Sequence, residues 1–317
     1  MSNLTYSGDI IDDILWRSDE LTDGTSDYES QALSYLNRAY RSLWMGGTEF
    51  DPKINEIWWW LKAESTITLQ PTIKTGTVSV TNNSASVTFS GNITPDLMDG
   101  WFLSVNNESD VYQFSVHGGN QNSATLDSVF TGTTNTAAGY RLMKLDYDLA
   151  SDTLKPIAEF HSSQDNQYSI TGMSLRKMDK EYPVNLIEAG VPSRFAMVDE
   201  NTVRFNKFGD DNGGYIRLDY DYLKKPSDLT NSGSEEPLLP LQYRHVLADM
   251  ALYFVHMDKE NTRAREVKEQ AKMGLRAMKL ENAARWAQIG RSGHIYPRPR
   301  NKNSKEVYRT ESGLIIG

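Results

Sequence analysis

Residues Asn55-Glu56-Ile57-Trp58-Trp59-Trp60-Leu61-Lys62 set three of the chain's seven tryptophans side by side, between a helical pattern and a strand pattern. On a strand, neighbouring side chains point to opposite faces, so Trp58 and Trp60 share one face and Trp59 takes the other. Both faces then need cover. Two kinds of cover are open: a strand buried on both faces inside one domain, or a surface packed against a second copy of the chain, as aromatic residues on two sides suggest.

Upstream the pattern is helical. From Ser7 to about Leu21, Ile10, Ile11, Ile14 and Leu15 recur at helical spacing, with Asp9, Asp12 and Asp13 near the positive end of the helix dipole. A second amphipathic helix runs from Tyr28 to about Met45, with Ala32, Leu33, Leu36, Tyr40, Leu43 and Trp44 on one stripe, and Gly46-Gly47 ends it.

Downstream the composition changes to short alternating runs of Thr, Ser, Asn, Gly and Val. Between residues 67 and 145, TGTVSV, ASVTFS, GWFLSV, VYQFSV, ATLDSV and YRLMKL are separated by turn signals, which predicts an inserted antiparallel β module with one apolar face. Further strands follow to about residue 225. In the last of them Ile216, Leu218, Tyr220 and Tyr222 share one face, and Tyr215, Arg217, Asp219 and Asp221 the other.

Beyond a polar loop with a proline at each end, Tyr243, Val246, Leu247, Met250, Ala251 and Phe254 keep a helical rhythm. Asp258 to Asn261 marks a bend. Ala264, Val267, Ala271, Leu275 and Met278 then stripe a second long helix, from Thr262 to about Ile289. The elements together predict an α+β fold: a helix bundle with a long C-terminal helical hairpin and associated strands over residues 1–66 and 146–289, with a small antiparallel β-barrel or sandwich inserted at 67–145. Residues 290–317 read as an extended arm closing on Leu314-Ile315-Ile316.

Charge is polarised along the chain. The net charge is −9, yet from Leu241 onward there are 15 Lys/Arg against 8 Asp/Glu, leaving 18 against 34 for residues 1–240. An acidic body does not grip nucleic acid, which needs clustered Lys/Arg. The basic end suits an acidic protein surface better than DNA. No cysteine is present, which excludes disulfides, thiolate metal sites and cysteine nucleophiles. The N-terminal stretch lacks the basic and apolar regions of a signal peptide, and no apolar run is long enough to span a bilayer.

Catalytic and metal signals are weak. Asp19 to Ser30 starts like a calcium loop but has Leu21 and Ser30 where oxygen ligands are required. His245 and His256 are spaced to share a helix face but lie too far apart along the axis for one ion. His117-Gly118-Gly119 reads as a hairpin turn. No phosphate loop, dinucleotide fingerprint or nucleophile elbow occurs. The expectation is therefore a non-enzyme without cofactor or metal.

Three stretches resemble the head-to-tail adaptor (connector) proteins of tailed bacteriophages. SQALSYLNRAYRSLW, residues 30–44, resembles the helix that opens the adaptor core. Residues 179–231 resemble the adaptor strand region, with Gly190 and Pro192 before the strands, then Tyr220, Tyr222, Pro226 and Leu229. EEPLLPLQYRHVLADMALYFV is similar to the next element, with Pro237 and Pro240 leading into Ala248 and Ala251. The β insertion departs from the shorter adaptors and is similar to one found in larger ones.

The resemblance implies a virion protein of the neck, assembled in the host cytoplasm. It would form a homo-oligomeric ring of twelve copies under the portal protein and above a tail or nozzle protein, through which double-stranded DNA passes without specific binding. On that reading Trp58, Trp59, Trp60, Tyr40 and Trp44 face the next subunit, and Arg298, Arg300, Tyr308, Leu314, Ile315 and Ile316 of the arm reach the portal. The alternatives are a tail component whose β module binds carbohydrate or a receptor through Trp101, Phe102 and Tyr112, a cell-wall hydrolase carried by the virion, or a tail-tube or tail-completion protein.

Overall fold

A computed structural model describes residues 4–18, 26–45, 49–51, 57–156, 160–162, 165–210, 214–291, 308–309 and 315–316. Helices α1 (Ser7–Arg17) and α2 (Ser26–Met45) open it, and a 3-10 turn at Trp59–Leu61 leads into β1 (Lys62–Leu69). There follow β2 (Val78–Val80), β3 (Ser86–Ile93), β4 (Trp101–Val105), β5 (Val111–Val116), β6 (Gln121–Leu126), β7 (Asn135–Ala138) and β8 (Tyr140–Lys144). After them come β9 (Asp146–Asp148), β10 (Thr153–Pro156), β11 (Phe160–Ser162), β12 (Asp165–Gly172), α3 (Leu175–Glu181), β13 (Arg194–Met197), β14 (Thr202–Phe205) and β15 (Ile216–Lys224). Two helices, α4 (Arg244–Asp258) and α5 (Ala264–Arg291), precede the short strands β16 (Tyr308–Arg309) and β17 (Ile315–Ile316).

The expected helix-bundle core with a long C-terminal helical hairpin is overturned. Two nearly closed, barrel-like sheets take up fifteen of the strands, and the described residues form five α-helices. The larger sheet has eight strands, ordered β1-β15-β11-β12-β13-β14-β9 with β10 also on β15; the smaller has seven, ordered β7-β2-β3-β6-β5-β4-β8. The physical reason for the discrepancy is signal length. α5 repeats its stripe over about four turns, whereas β9, β10, β11, β13 and β14 are three or four residues each and too short to display alternation. β1 crosses the boundary expected at residue 67 between the core and the inserted module, and pairs with β15 from Lys62↔Leu223 to Leu69↔Ile216.

The seven-stranded sheet contains all six alternating runs plus β7, whose Asn-Thr-Ala-Ala sequence has no strand pattern. Its core is Val78, Val80, Val87, Phe89, Leu103, Tyr112, Phe130 and their neighbours. The turns Asn83 (φ 60°), Asn107 (φ 66°) and Asn120 (φ 62°) adopt the left-handed conformation that Asn tolerates. In the eight-stranded sheet β15 alternates as its sequence requires, with Ile216, Leu218, Tyr220 and Tyr222 buried around Phe160 and Phe205.

The two sheets meet at a small shared core of Phe102, Met143, Leu145, Ile187 and Phe208. Arg204 of β14 sits beside it, with Nε 2.6 Å and Nη2 2.8 Å from the two carboxylate oxygens of Asp146, its guanidinium 5.2 Å from the Phe102 ring centre. Gly100 (φ +70°) lets the chain pass so close to Asp146 that a Cβ there would lie 2.4 Å from its carbonyl oxygen.

The helices form a third cluster. α4 is its centre: from Val246 to Val255 every residue except Asp249 is buried. α1 is capped by the Asp9 carboxylate, which accepts from the Thr5 and Tyr6 amides at 3.1 and 2.9 Å, and its last turn is tied to α4 by Arg17 and Asp249 at 2.6 Å. Gly274 of α5 lies against Val246 so tightly that a Cβ would stand 2.5 Å from Val246 Cγ2. The buried Arg244 guanidinium bonds the Leu239 and Pro237 carbonyls at 3.1 and 3.2 Å and reaches the Thr5 carbonyl, holding the N-terminal segment to the proline loop.

Candidate interaction surfaces

The tryptophan segment is a turn rather than a strand. Trp58 is extended and the chain then winds through Trp59–Leu61, so β1 starts only at Lys62. Trp58 is 1% exposed, and its Nε1 donates to the Leu43 carbonyl at 2.6 Å. That carbonyl is one of the last four of α2 and has no partner within the helix, so the indole satisfies it. Trp60 stacks on Trp58 with ring centres 6.1 Å apart, and Trp59 lies under the Arg285 guanidinium at 5.2 Å.

Two α5 residues that the sequence reading missed hold this turn. Asn282 is buried; its Oδ1 accepts from the Trp59 amide at 2.9 Å and its Nδ2 donates to the Ile57 carbonyl at 3.0 Å. Trp286 Nε1 donates to the same carbonyl at 2.5 Å. Neither residue carried a pattern signal: Asn282 follows the last residue of the expected apolar stripe by four positions, and a polar side chain there marked the stripe's end rather than a contact.

Tyr40 is likewise internal, its hydroxyl accepting from the Leu238 amide at 3.1 Å; burial pushes its phenol up to about 12, with the Leu238 hydrogen bond acting in the other direction. Trp58 and Tyr40 thus belong to the core of one copy, which corrects their assignment to a subunit contact. Their cover comes from α2, α5 and the proline loop of the same chain. Trp44 and Trp60 pack on that core while keeping part of their surface outside, and Trp59 is also half-buried.

Of the expected arm residues, Tyr308, Ile315 and Ile316 lie on the paired strands β16 and β17, with Tyr308↔Ile316 and Arg309↔Ile315 in register. Arg298, Arg300 and Leu314 fall outside the described residues. The rings considered for sugar stacking are buried: Trp101 and Tyr112 belong to the core of the smaller sheet and Phe102 to the junction. Stacking requires an open ring face, so these three offer none.

The histidines have structural surroundings. His117 is buried, with Nδ1 accepting from the Leu97 amide at 3.2 Å; His256 is buried in α4 while His245, three turns earlier on the same helix, is exposed. Of the candidate calcium loop, residues 19–25 lie outside the described residues and Ser26–Ser30 are helical. Among the described residues no group of three or more His, Asp or Glu could hold a metal ion, and no helix is long and apolar enough to cross a membrane.

What the described surface does offer is apolar area on helices. Trp16, Tyr28, Met45, Met257, Met273 and Leu280 are exposed on α1, α2, α4 and α5. A shallow groove of about 790 Å³ runs along α2, lined by Leu33, Ser34, Arg38, Arg41, Met45 and neighbouring small side chains. Its rim charges are paired, Arg38 with Glu49 at 2.9 Å and Arg41 Nε with Asp228 at 2.7 Å. No protein-family model matches the sequence, and comparison with curated proteins returns no match.

Proposed function

We propose that the chain is a structural virion protein, a head-to-tail adaptor whose copies form a ring beneath a portal and join capsid to tail. The observation that carries this reading is the exposed apolar surface on helices whose own core is already filled. Trp58 and Tyr40 complete the interior, yet Met45, Met273 and Leu280 remain 68%, 61% and 76% exposed on α2 and α5. Apolar surface left outside in this way suits a subunit of an assembly.

Two further features support the reading. Residues 1–240 carry 34 acids against 18 bases, which suits a lumen where DNA slides without sticking. The resemblance of residues 30–44, 179–231 and 235–255 to adaptor elements supplies the particular position, with portal above and a tail protein below. The reaction-free role follows from the same argument: chains that act by assembly need surfaces rather than a convergent catalytic cluster.

The test is physical. Mass photometry of the purified chain, alone and mixed with portal, is expected to show a ring-sized species, and cryo-EM of virions is expected to place the chain at the junction of capsid and tail. A chain that stays monomeric beside portal at high concentration, or that sits elsewhere in the particle, would overturn the proposal.

A further inference from the structure

β1 stands at one end of the eight-stranded sheet, with β15 on one side and, among the described residues, no strand on the other. Successive residues of a strand turn their backbone N–H and C=O to opposite sides. The Lys225 amide, just beyond β15, donates to the Asp152 carbonyl beside β10 at 2.6 Å, so the odd-numbered residues of β15 point towards β10 and the even-numbered ones towards β1. With Tyr222 opposite Ala63 and Leu218 opposite Ile67, the odd-numbered residues of β1 hold the ladder. Gln70 agrees with this, because its amide donates to the Tyr147 hydroxyl at 2.8 Å rather than to β15. Glu64, Thr66 and Thr68 therefore turn their backbone groups to the open side. Among the described residues none of these three amides has a partner, and their carbonyls receive only a 3.3 Å contact, from Gln70 Nε2 to Thr68.

The other ends of the two large sheets are short or closed. β9 has three residues, β7 has four and a register shift against β2, and β8 is bridged by Ile73, which exchanges bonds with Leu142 at 3.0 and 2.8 Å. β1 has neither proline nor bulge over its eight residues, and its one lysine, Lys62, is drawn to Asp221 at 2.9 Å. An edge left bare in this way is a template for another strand.

The same chain holds strands without a sheet. β16 and β17 pair only with each other, two residues against two, and an isolated two-stranded ribbon is marginal in water. Beside β1 the ribbon becomes the outer part of a continuous sheet. Charge favours β16 as the added strand. The Glu64 side chain is 75% exposed and 3.9 Å from Lys62, so it is loosely neutralised, and Arg309 of β16 placed across from it completes an opposite-charge pair. Within one chain the ribbon and β1 belong to separate sheets. Residues 292–307, between α5 and β16, span up to ~50 Å when extended, which is enough to reach a neighbouring copy.

We infer that β16 of one copy adds to the open edge of β1 in the next, with Arg309 opposite Glu64. Such a contact uses two different patches of one subunit, so it is head-to-tail and generates a closed ring when the rotation per step divides a full turn. The inference rests on the proposed assembly and adds a backbone contact to its helix surfaces. It gives Tyr308, Ile315 and Ile316 to the next subunit instead of the portal.

The absence of native cysteine allows a direct test. Glu64→Cys and Arg309→Cys are prepared in the full chain as separate single variants. Under mild oxidation, covalent dimers are expected when the two are mixed, and neither should cross-link alone. Dimers of Glu64→Cys with itself would mean that two edges pair with each other, and would overturn the inference. So would a double variant that closes its disulfide within one chain while the mixture gives no dimer. A ring seen by mass photometry with no cross-link in the mixture would also overturn it while leaving the proposed assembly intact; a wild-type chain that remains monomeric with portal would remove both. Thr66→Pro provides a second readout. It deletes the central edge amide, which the copy's own ladder does not use, so the expected effect is an unchanged melting curve with a rise of about tenfold or more in the concentration needed for assembly. Unchanged assembly would count against the edge, and assembly that persists while portal binding is lost would give the edge to the portal and overturn the inference.

Discussion

The seven-stranded sheet and the helical cluster finish their surfaces differently. In the sheet, Val87 and Phe89 point inward while Ser86, Thr88 and Ser90 point out, so a period of two yields one apolar and one polar face. Met98, Val116 and Val129 are the module's scattered exposed exceptions, of the kind common on any surface. α5 has a period of 3.6 and therefore room for two apolar stripes, one spent on α4 and one left outside. The sheet is complete in one copy. The helices are complete inside and unfinished outside, which is why assembly is assigned to them and not to the β module.

The comparison can be broken most forcefully at the centre of the helical cluster. Trp58→Ala removes a fully buried indole and orphans the Leu43 carbonyl, so it should cost about 3–5 kcal/mol in urea denaturation. A loss under about 1 kcal/mol would return the tryptophans to the role of subunit contact. Next in size is the junction of the sheets. Arg204→Ala strands the Asp146 carboxylate, whose side chain is 8% exposed, and should cost about 3 kcal/mol. Calorimetry should then resolve the smaller sheet as its own transition; one unshifted transition would mean that the two sheets are held together by the shared apolar core alone.

A pH series sharpens the same contrast. Burial raises the Tyr40 phenol from 10.0 to about 12, so the unfolded chain ionises first as pH rises. Its neutral form favours the folded state at pH below 10, and this contribution is lost between pH 10 and about 12, on the order of 2–3 kcal/mol. Tyr40→Phe should lessen the slope of stability against pH across that window, with the raised phenols of Tyr147 and Tyr222 keeping their share, and an identical alkaline profile would show that Tyr40 is not a group concerned. Smallest of all is the effect of Leu280→Asp on stability, within about 0.5 kcal/mol, because the side chain is 76% exposed. A larger loss would place Leu280 inside the copy's own core.

The periodic elements were legible in the residues. Ala264, Val267, Ala271, Leu275 and Met278 are buried on α5 as their spacing requires, and β15 alternates residue by residue. The balance between helix and sheet was not, since β9, β10 and β11 are too short to announce themselves and β1 gains its place from β15, over 140 residues away in the chain. Met273 and Leu280 stand on the same helix as Ala271, Leu275 and Met278, and only packing shows which of them are buried.

Trp58, Trp59 and Trp60 draw the line most clearly. Their local order required that bulky indoles be covered, and it fixed nothing about what covers them, because periodicity is a property of neighbours within a few turns. Folding brings Asn282 and Trp286 to the turn from 223 and 229 residues away, where they bond its backbone, and Trp58 enters the core of one copy while Trp59 and Trp60 stay half-buried. Element type, stripe and charge polarity follow from short-range chemistry carried by the chain itself; which faces are closed and which stay open is settled by long-range packing.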